Sequence, residues 1–409
     1  MKWTEGIDRL GLGLYFVLCV FAIANIYSVD EGLGKKQLIF FGISLFVGLI
    51  IFFSRSKFFE NMSAIIYIGG ILLLVGLFPF GTEILGQKNW YKFGGFTMQP
   101  VEFAKIGVSL MLANYVSGPD FNLKYRKSLL TTLAIVGVPA IVVLAIPDVG
   151  SLLVFTAYMI ALYREGLSGW VFGVGFLLAS VFLISLAINP LYVVIAIIVI
   201  AAFLIFKNYR RMTWDIITFS SISGSILLLC GLAFGTPFLL EKLPKHQRER
   251  IEVLYKGEKA FRDTSGYNLL YSKTAIGSGG VFGKGYREGS VTQGKFVPEQ
   301  ETDYIFCTVG EEWGFVGSSL LVICYMVFIG RIYYLAEEQK STFNRVFGLS
   351  FASILLMHFT INIGMVMGLF PTVGIPLPYF SYGGSSLLAF SMMTFIFFKL
   401  NYADKNSLV

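Results

Sequence analysis

A cluster of carboxylates stands at the point where a glycine-rich loop gives way to a long apolar segment. Glu299, Glu301 and Asp303 lie in the run V-P-E-Q-E-T-D, and the apolar segment begins with the next residue. Glu311 and Glu312 follow two to three turns into that segment if it is helical. Charged groups at such a place are costly to keep in an apolar environment, so they indicate a functional site.

Basic side chains precede these acids along the chain. Lys284 and Arg287 belong to a glycine-rich run that is either a flexible loop or a backbone that approaches an anionic ligand closely. The run is not a nucleotide-binding P-loop, because Ser278 occupies the first glycine position of that motif. Arg248 and Arg250 lie in H-Q-R-E-R, which is usually a solvated helix face but is a phosphate site beside a lipid head group.

Two further polar features lie in or beside apolar segments. Glu102 and Lys105 are three residues apart, so on a helix they share one face and can form an ion pair. That pair is either structural or the polar floor of an outward-facing cavity. The run P-L-P-Y-F-S-Y-G-G-S-S from Pro376, which includes Ser385, breaks the chain and suits a loop that lines a cavity.

The composition is that of an all-α polytopic integral membrane protein. Apolar residues make up 56% of the 409 residues, charged residues 14%, and mean hydropathy is +0.72, whereas soluble domains carry about 25% charged residues. Each membrane span needs ~20 apolar residues. We predict about twelve transmembrane helices: 10–28, 37–53, 62–80, 100–117, 129–146, 150–163, 170–187, 191–206, 214–234, 304–329, 346–370 and 381–398.

The distribution of Lys and Arg predicts the orientation. The segments on the side of the N-terminus hold sixteen Lys and Arg, whereas the short loops on the other side hold only Lys35, Lys36, Lys88 and Lys92. Basic residues accumulate in cytoplasmic loops, so both termini are expected to be cytoplasmic. Residues 235–303 then form one large extracytoplasmic loop, long enough to escape this rule. Because topology accounts for most of the positive charge, no nucleic-acid partner is expected.

Several of these stretches together resemble the SEDS family, the shape, elongation, division and sporulation proteins. They are Q-P-V-E-F-A-K, P-D-V-G, I-G-S-G-G-V-F-G-K-G, V-P-E-Q-E-T-D-Y-I-F, G-E-E-W-G-F-V-G and P-L-P-Y-F-S-Y-G-G-S-S. The pattern G-K-G-Y followed by T-Q-G-K-F-V-P-E, and the H-Q-R-E-R run, are similar to the elongation branch rather than the division branch. The resemblance implies one membrane domain over 1–409. Because the family commonly has ten spans, it also implies a surplus helix pair within 170–234.

The resemblance implies a peptidoglycan glycosyltransferase of the bacterial inner membrane, active during elongation and rod-shape maintenance. Its substrate is lipid II, and its partners are a class B penicillin-binding protein, which is a transpeptidase, and other membrane proteins of the elongation complex. Asp303 corresponds to the required aspartate of the family, and Glu102 with Lys105 to its intramembrane acidic–basic pair. The active site is expected to face outward.

An inverting transfer of this kind needs a base for the attacking sugar hydroxyl and positive charge for the leaving pyrophosphate. We predict Asp303 as the base, although a plain helix N-cap is the alternative role for this residue. Arg248, Arg250 and Lys284, with a divalent cation such as Mg²⁺ or Mn²⁺, are candidates for the leaving group, and no nucleotide is expected. Substrate contacts are also expected at Glu102, Lys105, Glu299 and Ser385.

Two other classes of function are compatible with parts of this pattern. A lipid II transporter would also use intramembrane charge pairs and broken helices, but it needs access from both sides, and the polar groups concentrate on the outer side. A scaffold for the transpeptidase, or a division-type paralogue, is the other alternative. Polymerisation by the purified protein supplied only with lipid II separates an enzyme from a transporter and a scaffold.

Overall fold

The computed structural model describes residues 8–84, 87–210 and 215–406. The chain is mostly helical, and a 3₁₀ helix at Glu258–Phe261 follows α12. The α-helices are α1 (Arg9–Val29), α2 (Glu31–Phe53), α3 (Ser56–Val75), α4 (Leu77–Phe80), α5 (Pro100–Val116), α6 (Arg126–Ala145), α7 (Val149–Phe155), α8 (Ala157–Arg164), α9 (Trp170–Ala187), α10 (Pro190–Asn208), α11 (Ile216–Lys242), α12 (Lys245–Lys256), α13 (Tyr267–Ser278), α14 (Ser290–Gln293), α15 (Ile305–Glu312), α16 (Gly314–Glu337), α17 (Thr342–Val366) and α18 (Gly384–Asn406).

Each of the twelve predicted apolar segments corresponds to helix in the structure. In the described part of the chain, ten helices are long and apolar enough to cross a membrane. The fourth predicted segment is α5, with 17 residues, and the sixth is the pair α7 and α8, which is interrupted at Thr156. The predicted tenth span is also divided, because α15 ends at Glu312 and α16 starts anew at Gly314.

The structure also contains a small antiparallel sheet, which the all-α prediction did not include. Its strands are β1 (Thr82–Ile84), β2 (Gln87–Phe93) and β3 (Phe96–Met98), paired in the order β1-β2-β3. Gly94 and Gly95 connect β2 to β3, and Gly94 has φ +58°. Two-residue hairpin turns favour glycine because they require positive φ. The Gly-Gly pair between two phenylalanines is therefore the sequence signal for this hairpin.

The chain forms two compact units. The larger unit comprises Met1–Leu167 and Asn268–Val409, and the smaller unit is Ser168–Tyr267. The prediction of one domain over 1–409 did not separate these two units. The smaller unit has a thin core of Val181, Val193, Val194 and Ala233, while most of its apolar side chains are exposed. The surplus pair expected within 170–234 falls in this unit and stays a prediction.

The larger unit is organised around α17 and α18. Their most apolar windows are 78% and 72% buried, against 28% for α2 and 22% for α3. Helices α17 and α18 are therefore central, whereas α2 and α3 are peripheral. The α17–α18 loop, residues 367–383, joins the two central helices and contributes most of the site described below.

Charged pairs mark the two ends of the larger unit. Segments predicted to be cytoplasmic meet at one end, where the pairs are Arg331–Asp8, Arg345–Glu165 and Arg164–Glu337. Segments predicted to be outside meet at the other end, where the pairs are Lys295–Asp30 and Arg287–Glu31. The helices of this unit thus alternate in direction as the sequence predicted. The inner and outer ends are named below by that prediction.

Candidate active site

The short helix α15 runs toward the outer end of the larger unit, parallel to α1. Asn25 Nδ2 donates to Thr308 Oγ1 at 2.6 Å, and one turn further out Ser28 Oγ donates to Glu312 Oε2 at 2.5 Å. The chain then reverses at Gly314, whose φ is +63°, and α16 returns to the inner end. All eight residues of α15 are buried.

This geometry corrects the predicted depth of the acidic residues. Asp303 lies at the inner start of α15 and Glu311 and Glu312 at its outer end, ~12 Å away at 1.5 Å per residue. The expectation that Glu311 and Glu312 lie deeper in a membrane span than Asp303 is wrong, since the spanning helix begins only at Gly314. Asp303 is therefore the acid that reaches toward the middle of the unit.

The glycine-rich loop wraps the corner between α15 and α16. Lys284 N donates to Glu311 O at 2.9 Å, and Gly285 N donates to Glu312 O at 3.1 Å. A Cβ at Gly283 would overlap the carbonyl group of Glu312, so only glycine permits this approach. The backbone of the loop thus approaches the protein's own corner, and its close approach to an anionic ligand stays a prediction.

The glycine-rich loop and the residues that follow it donate hydrogen bonds to the carboxylate of Glu311. Lys284 Nζ lies 2.6 Å from Oε1, and Val291 N donates to the same oxygen. Thr292 donates to Oε2 through both its hydroxyl and its backbone N–H. Burial would raise the pKa of Glu311, but these hydrogen bonds, led by that of Lys284, hold it below the ordinary value. Lys284, predicted to face a leaving group, is thus already paired.

Two neighbouring charges are also engaged locally. Arg287 pairs with Glu31 at 2.9 Å and lies over the ring of Tyr27. Glu312 accepts hydrogen bonds from Ser28 and Gln293, but burial outweighs them and raises the pKa of Glu312 above its ordinary value. These contacts fix the outer loop to the α1–α2 turn.

The α17–α18 loop holds Asp303. Asn362, on α17, donates its side-chain amide to Asp303 O at 2.8 Å and to Ile375 O at 2.7 Å. A Cβ added to Gly374, in the same loop, would lie 3.2 Å from Asp303 Oδ2. The Asp303 side chain itself is half-buried, and Gly374 is exposed. Asp303 therefore lies at the edge of the protein interior, beside the α17–α18 loop.

The residues before Asp303 are anchored through their backbone. Ser381 Oγ donates to Thr302 O at 2.6 Å, and Tyr382 N donates to Glu301 O at 2.8 Å. Glu299 has φ +59°, and its carboxylate accepts from Thr302 Oγ1 at 3.1 Å. Hydrogen bonds from the α17–α18 loop thus hold the backbone of this run of acids in place.

The N-cap position of α15 belongs to Tyr304, not to Asp303. Asp303 precedes the cap by one residue, which removes the capping position that was its alternative role. The position of Asp303 is instead set by Asn362 and the α17–α18 loop.

The predicted pairing of Glu102 with Lys105 is confirmed. The two side chains are 1–2% exposed, and Lys105 Nζ lies 2.8 Å from Glu102 Oε2. The ammonium group also lies 2.7 Å from His358 Nε2 and 5.1 Å from the centre of the Phe390 ring. His358 Nδ1 is 3.0 Å from Pro376 O. These groups enclose the ion pair, so it is a sealed part of the core and not an open cavity floor.

Ser385 and Asp148 have local structural partners. The hydroxyl of Ser385, 2% exposed, accepts from Gln99 N at 3.3 Å and thereby ties the start of α18 to the start of α5. Asp148 caps α7 by accepting from the backbone N–H and the hydroxyl of Ser151. Ser385 thus stands behind the site and not on its surface.

Arg248 and Arg250 belong to α12 in the smaller unit. Arg248 Nε lies 2.8 Å from Glu252 Oε1, four residues along the helix, and Lys256 pairs with the same carboxylate at 3.1 Å. Arg250 is half-buried on the same helix. The i,i+4 pairing of Arg248 is typical of a solvated helix face.

No group of three His, Cys, Asp or Glu side chains within the described ranges is placed to hold a metal ion. The acids Glu299, Glu301 and Asp303 are sequence neighbours, but they do not form such a group. The divalent cation expected from the sequence therefore stays a prediction.

Sequence reasoning missed the roles of Asn362 and Gly374. His358 is a buried histidine whose two ring nitrogens both have polar partners. The available signal was the spacing of His358 and Asn362, four residues apart in an apolar segment, because such residues share a helix face.

Comparison with known proteins agrees with this fold. The family model FTSW_RODA_SPOVE, described as cell cycle protein, matches residues 7–214 and 192–406. The peptidoglycan glycosyltransferase MrdB of Escherichia coli K12 is 31% identical over 93% of this chain and 90% of its own length. The peptidoglycan glycosyltransferase RodA of Treponema pallidum is 28% identical over 87% of each chain.

Two solved structures share the architecture. A chain from a peptidoglycan synthase complex, in a study of coordinated polymerization and crosslinking, superposes with a TM-score of 0.71 at 22% identity over 99% of both chains. The rod shape determining protein RodA of Thermus thermophilus gives a TM-score of 0.62 at 23% identity over 99% of both chains. The family match over nearly the whole chain, with the MrdB relative, shows that the chain belongs to the FtsW, RodA and SpoVE family of cell cycle proteins.

Proposed function

We propose that this protein is a peptidoglycan glycosyltransferase that polymerises lipid II into glycan strands during cell elongation. The relatives MrdB and RodA are named peptidoglycan glycosyltransferases, and their similarity extends over 93% and 87% of this chain. The observation that carries the proposal is the placement of Asp303, a half-buried carboxyl group held from its backbone by Asn362 at the inner start of α15. The names MrdB and RodA favour elongation over division.

In the proposed reaction a sugar hydroxyl of one lipid-linked unit attacks the anomeric carbon of another. The new bond joins the hydroxyl oxygen to that carbon, and the bond from the carbon to the pyrophosphate oxygen breaks. The undecaprenyl pyrophosphate leaves with the bonding electrons, and Asp303 accepts the hydroxyl proton as general base. Inversion follows because the attack is opposite to the leaving group.

The remaining site residues divide into two groups. Glu299, beside Asp303 in the same turn, is proposed to contact the sugar, and Arg248 and Arg250 are retained as candidates for the pyrophosphate. Lys284 is a weaker candidate, since Glu311 already neutralises it. Glu102, Lys105 and Ser385 are buried and support the site from behind. No step uses a protein-bound cation.

We propose a location in the bacterial inner membrane, with both termini cytoplasmic and the site facing outward. The ten apolar helices and the Lys and Arg distribution support this orientation. A class B penicillin-binding protein is the proposed partner, together with other membrane proteins of the elongation complex. This is supported by the solved relative, whose study concerns coordinated polymerization and crosslinking.

The test is glycan synthesis from lipid II by the purified protein, with and without a class B partner. We expect wild type to form strands and Asp303→Asn to be slower by ~10²–10⁴-fold, the usual contribution of a positioned base. Glu288→Gln, at an exposed carboxylate of the predicted outer loop that has no proposed role in the site, is the control and should retain most of the rate. Absence of strands under both conditions contradicts the function, whereas near-normal synthesis by Asp303→Asn contradicts only the base.

A further inference from the structure

Two side chains of α17 hold successive carbonyl groups of the α17–α18 loop. His358 and Asn362 are one helical turn apart, and they face Pro376 O at 3.0 Å and Ile375 O at 2.7 Å. This part of the loop has no regular secondary structure. The position of its backbone therefore depends on side-chain donors such as these two.

The same two side chains reach the ion pair on one side and Asp303 on the other. His358 Nε2 lies 2.7 Å from Lys105 Nζ, and Asn362 Nδ2 donates to Asp303 O at 2.8 Å. One continuous series of contacts thus runs from Lys105 through His358, the Ile375–Pro376 peptide and Asn362 to Asp303.

The hydrogen-bonding roles of His358 follow from its neighbours. A carbonyl oxygen only accepts, so Nδ1 must carry a proton to bond to Pro376 O. The ammonium group of Lys105 only donates, so Nε2 must offer its lone pair. Lys105 therefore selects the neutral Nδ1–H tautomer, and this is the form that can hold the loop.

We propose that His358 is a positioning residue for the reaction. With its tautomer set by Lys105, His358 holds the backbone of Pro376 in place. Because Asn362 bonds to both the adjoining Ile375 and Asp303, this contact also fixes the position of Asp303 along the α15 axis. The effect on catalysis rests on the proposed function, whereas the tautomer and the loop contact do not. His358 touches neither substrate nor Asp303 in this role.

Imidazole nitrogen signals test the first step on unmodified protein. The sequence contains only two histidines, so ¹⁵N-histidine labelling gives two ring systems, and His246→Gln assigns them. We expect His358 to show a protonated Nδ1 and an unprotonated Nε2 near neutral pH. An Nε2–H tautomer or a doubly protonated ring would overturn the proposal, because neither matches both contacts.

Two amide substitutions separate the contacts of the ring. Asparagine places a donor near the Nδ1 position and retains the bond to Pro376, whereas glutamine places an oxygen near Nε2 and retains only the contact with Lys105. We expect His358→Gln to lower kcat on the order of tenfold or more with little change in KM, since small displacements at a reacting site are costly. His358→Asn should keep kcat near wild type while thermal stability falls.

Hydrogen exchange provides a readout that does not require activity. In His358→Gln, the amide hydrogens of Ser381 and Tyr382, which bond to Leu377 O and Glu301 O, should exchange faster than in His358→Asn. Equal exchange in the two variants would overturn the proposal. So would a kcat that falls in both variants in proportion to their loss of thermal stability, whether or not the donor to Pro376 O is retained. If wild type forms no strands but exchange differs as expected, the proposed function fails while the positioning role stands.

Discussion

Gly374 lies so close to the carboxylate of Asp303 that an added methyl group would crowd it. A Cβ at Gly374 would lie 3.2 Å from Asp303 Oδ2, and the backbone there has φ +71°. Such contacts are tighter than ordinary van der Waals distances, so either the carboxylate or the loop must move.

We therefore predict that Gly374→Ala impairs polymerisation by displacing Asp303. The positive φ adds a backbone cost of about 1–2 kcal/mol for alanine. Gly94→Ala is the matched control, because Gly94 has φ +58° but nothing within 4 Å of its added Cβ. Both variants should lose similar stability in thermal melts, and only Gly374→Ala should lose the rate of strand synthesis. Equal rates for the two would show that Gly374 does not position Asp303.

A second prediction concerns the buried pair Glu102 and Lys105. Removing one partner leaves a charge in the interior, which costs about 3–5 kcal/mol for a truly buried pair. Lys105→Met should therefore destabilise the protein more in the wild-type background than in Glu102→Gln. The measurement is a double-mutant cycle on thermal or denaturant unfolding. Strictly additive losses would contradict the coupling implied by their 2.8 Å separation.

The features predicted correctly from the sequence are those set by local pattern. Apolar segments follow from composition, and Glu102 meets Lys105 because an i,i+3 spacing alone brings them together. The Gly-Gly turn of the β2–β3 hairpin was also a local signal, although it was not used.

The features that were missed depend on contacts between distant parts of the chain. The break before Gly314 exists because the loop around Gly283 packs against that corner. Lys105 meets His358 across 253 positions, and Asp303 meets Asn362 across 59. No periodicity in one sequence encodes these partners, so the depth of Asp303 could not be predicted from the order of residues.

Orientation in the membrane gives the third prediction. A cysteine replacing Glu288, which is exposed on the predicted outer loop, should react with a membrane-impermeant thiol reagent in intact cells. A cysteine replacing Asn122, which is also exposed and lies on a predicted cytoplasmic loop, should react only after lysis. The four native cysteines are buried or half-buried, and a variant lacking them provides the background. Labelling of Asn122→Cys but not Glu288→Cys in intact cells would reverse the orientation.

The fourth prediction concerns Lys284 and the pH dependence of the corner that it stabilises. Glu311 has a pKa held below its ordinary value, so its charged form favours folding above the unfolded-state pKa of about 4.3. That contribution is lost as pH falls through the lower pKa of the folded state. Lys284→Met removes the hydrogen bond of the ammonium group to Glu311.

We expect Lys284→Met to cost about 1.5–3 kcal/mol at pH 7, the usual value of a hydrogen bond to a charged group. The difference from wild type should shrink as the pH is lowered toward 4, because the pKa of Glu311 rises in the variant and protonation then relieves its unpaired charge. Lys295→Met is the control, since Lys295 is largely exposed and its pair with Asp30 is worth about 0–1 kcal/mol. Thermal unfolding of the three proteins at pH 7 and pH 4 gives the comparison. A loss for Lys284→Met that is no larger than that for Lys295→Met, or that grows at low pH, would show that the ion pair does not stabilise the corner on which α15 and Asp303 depend.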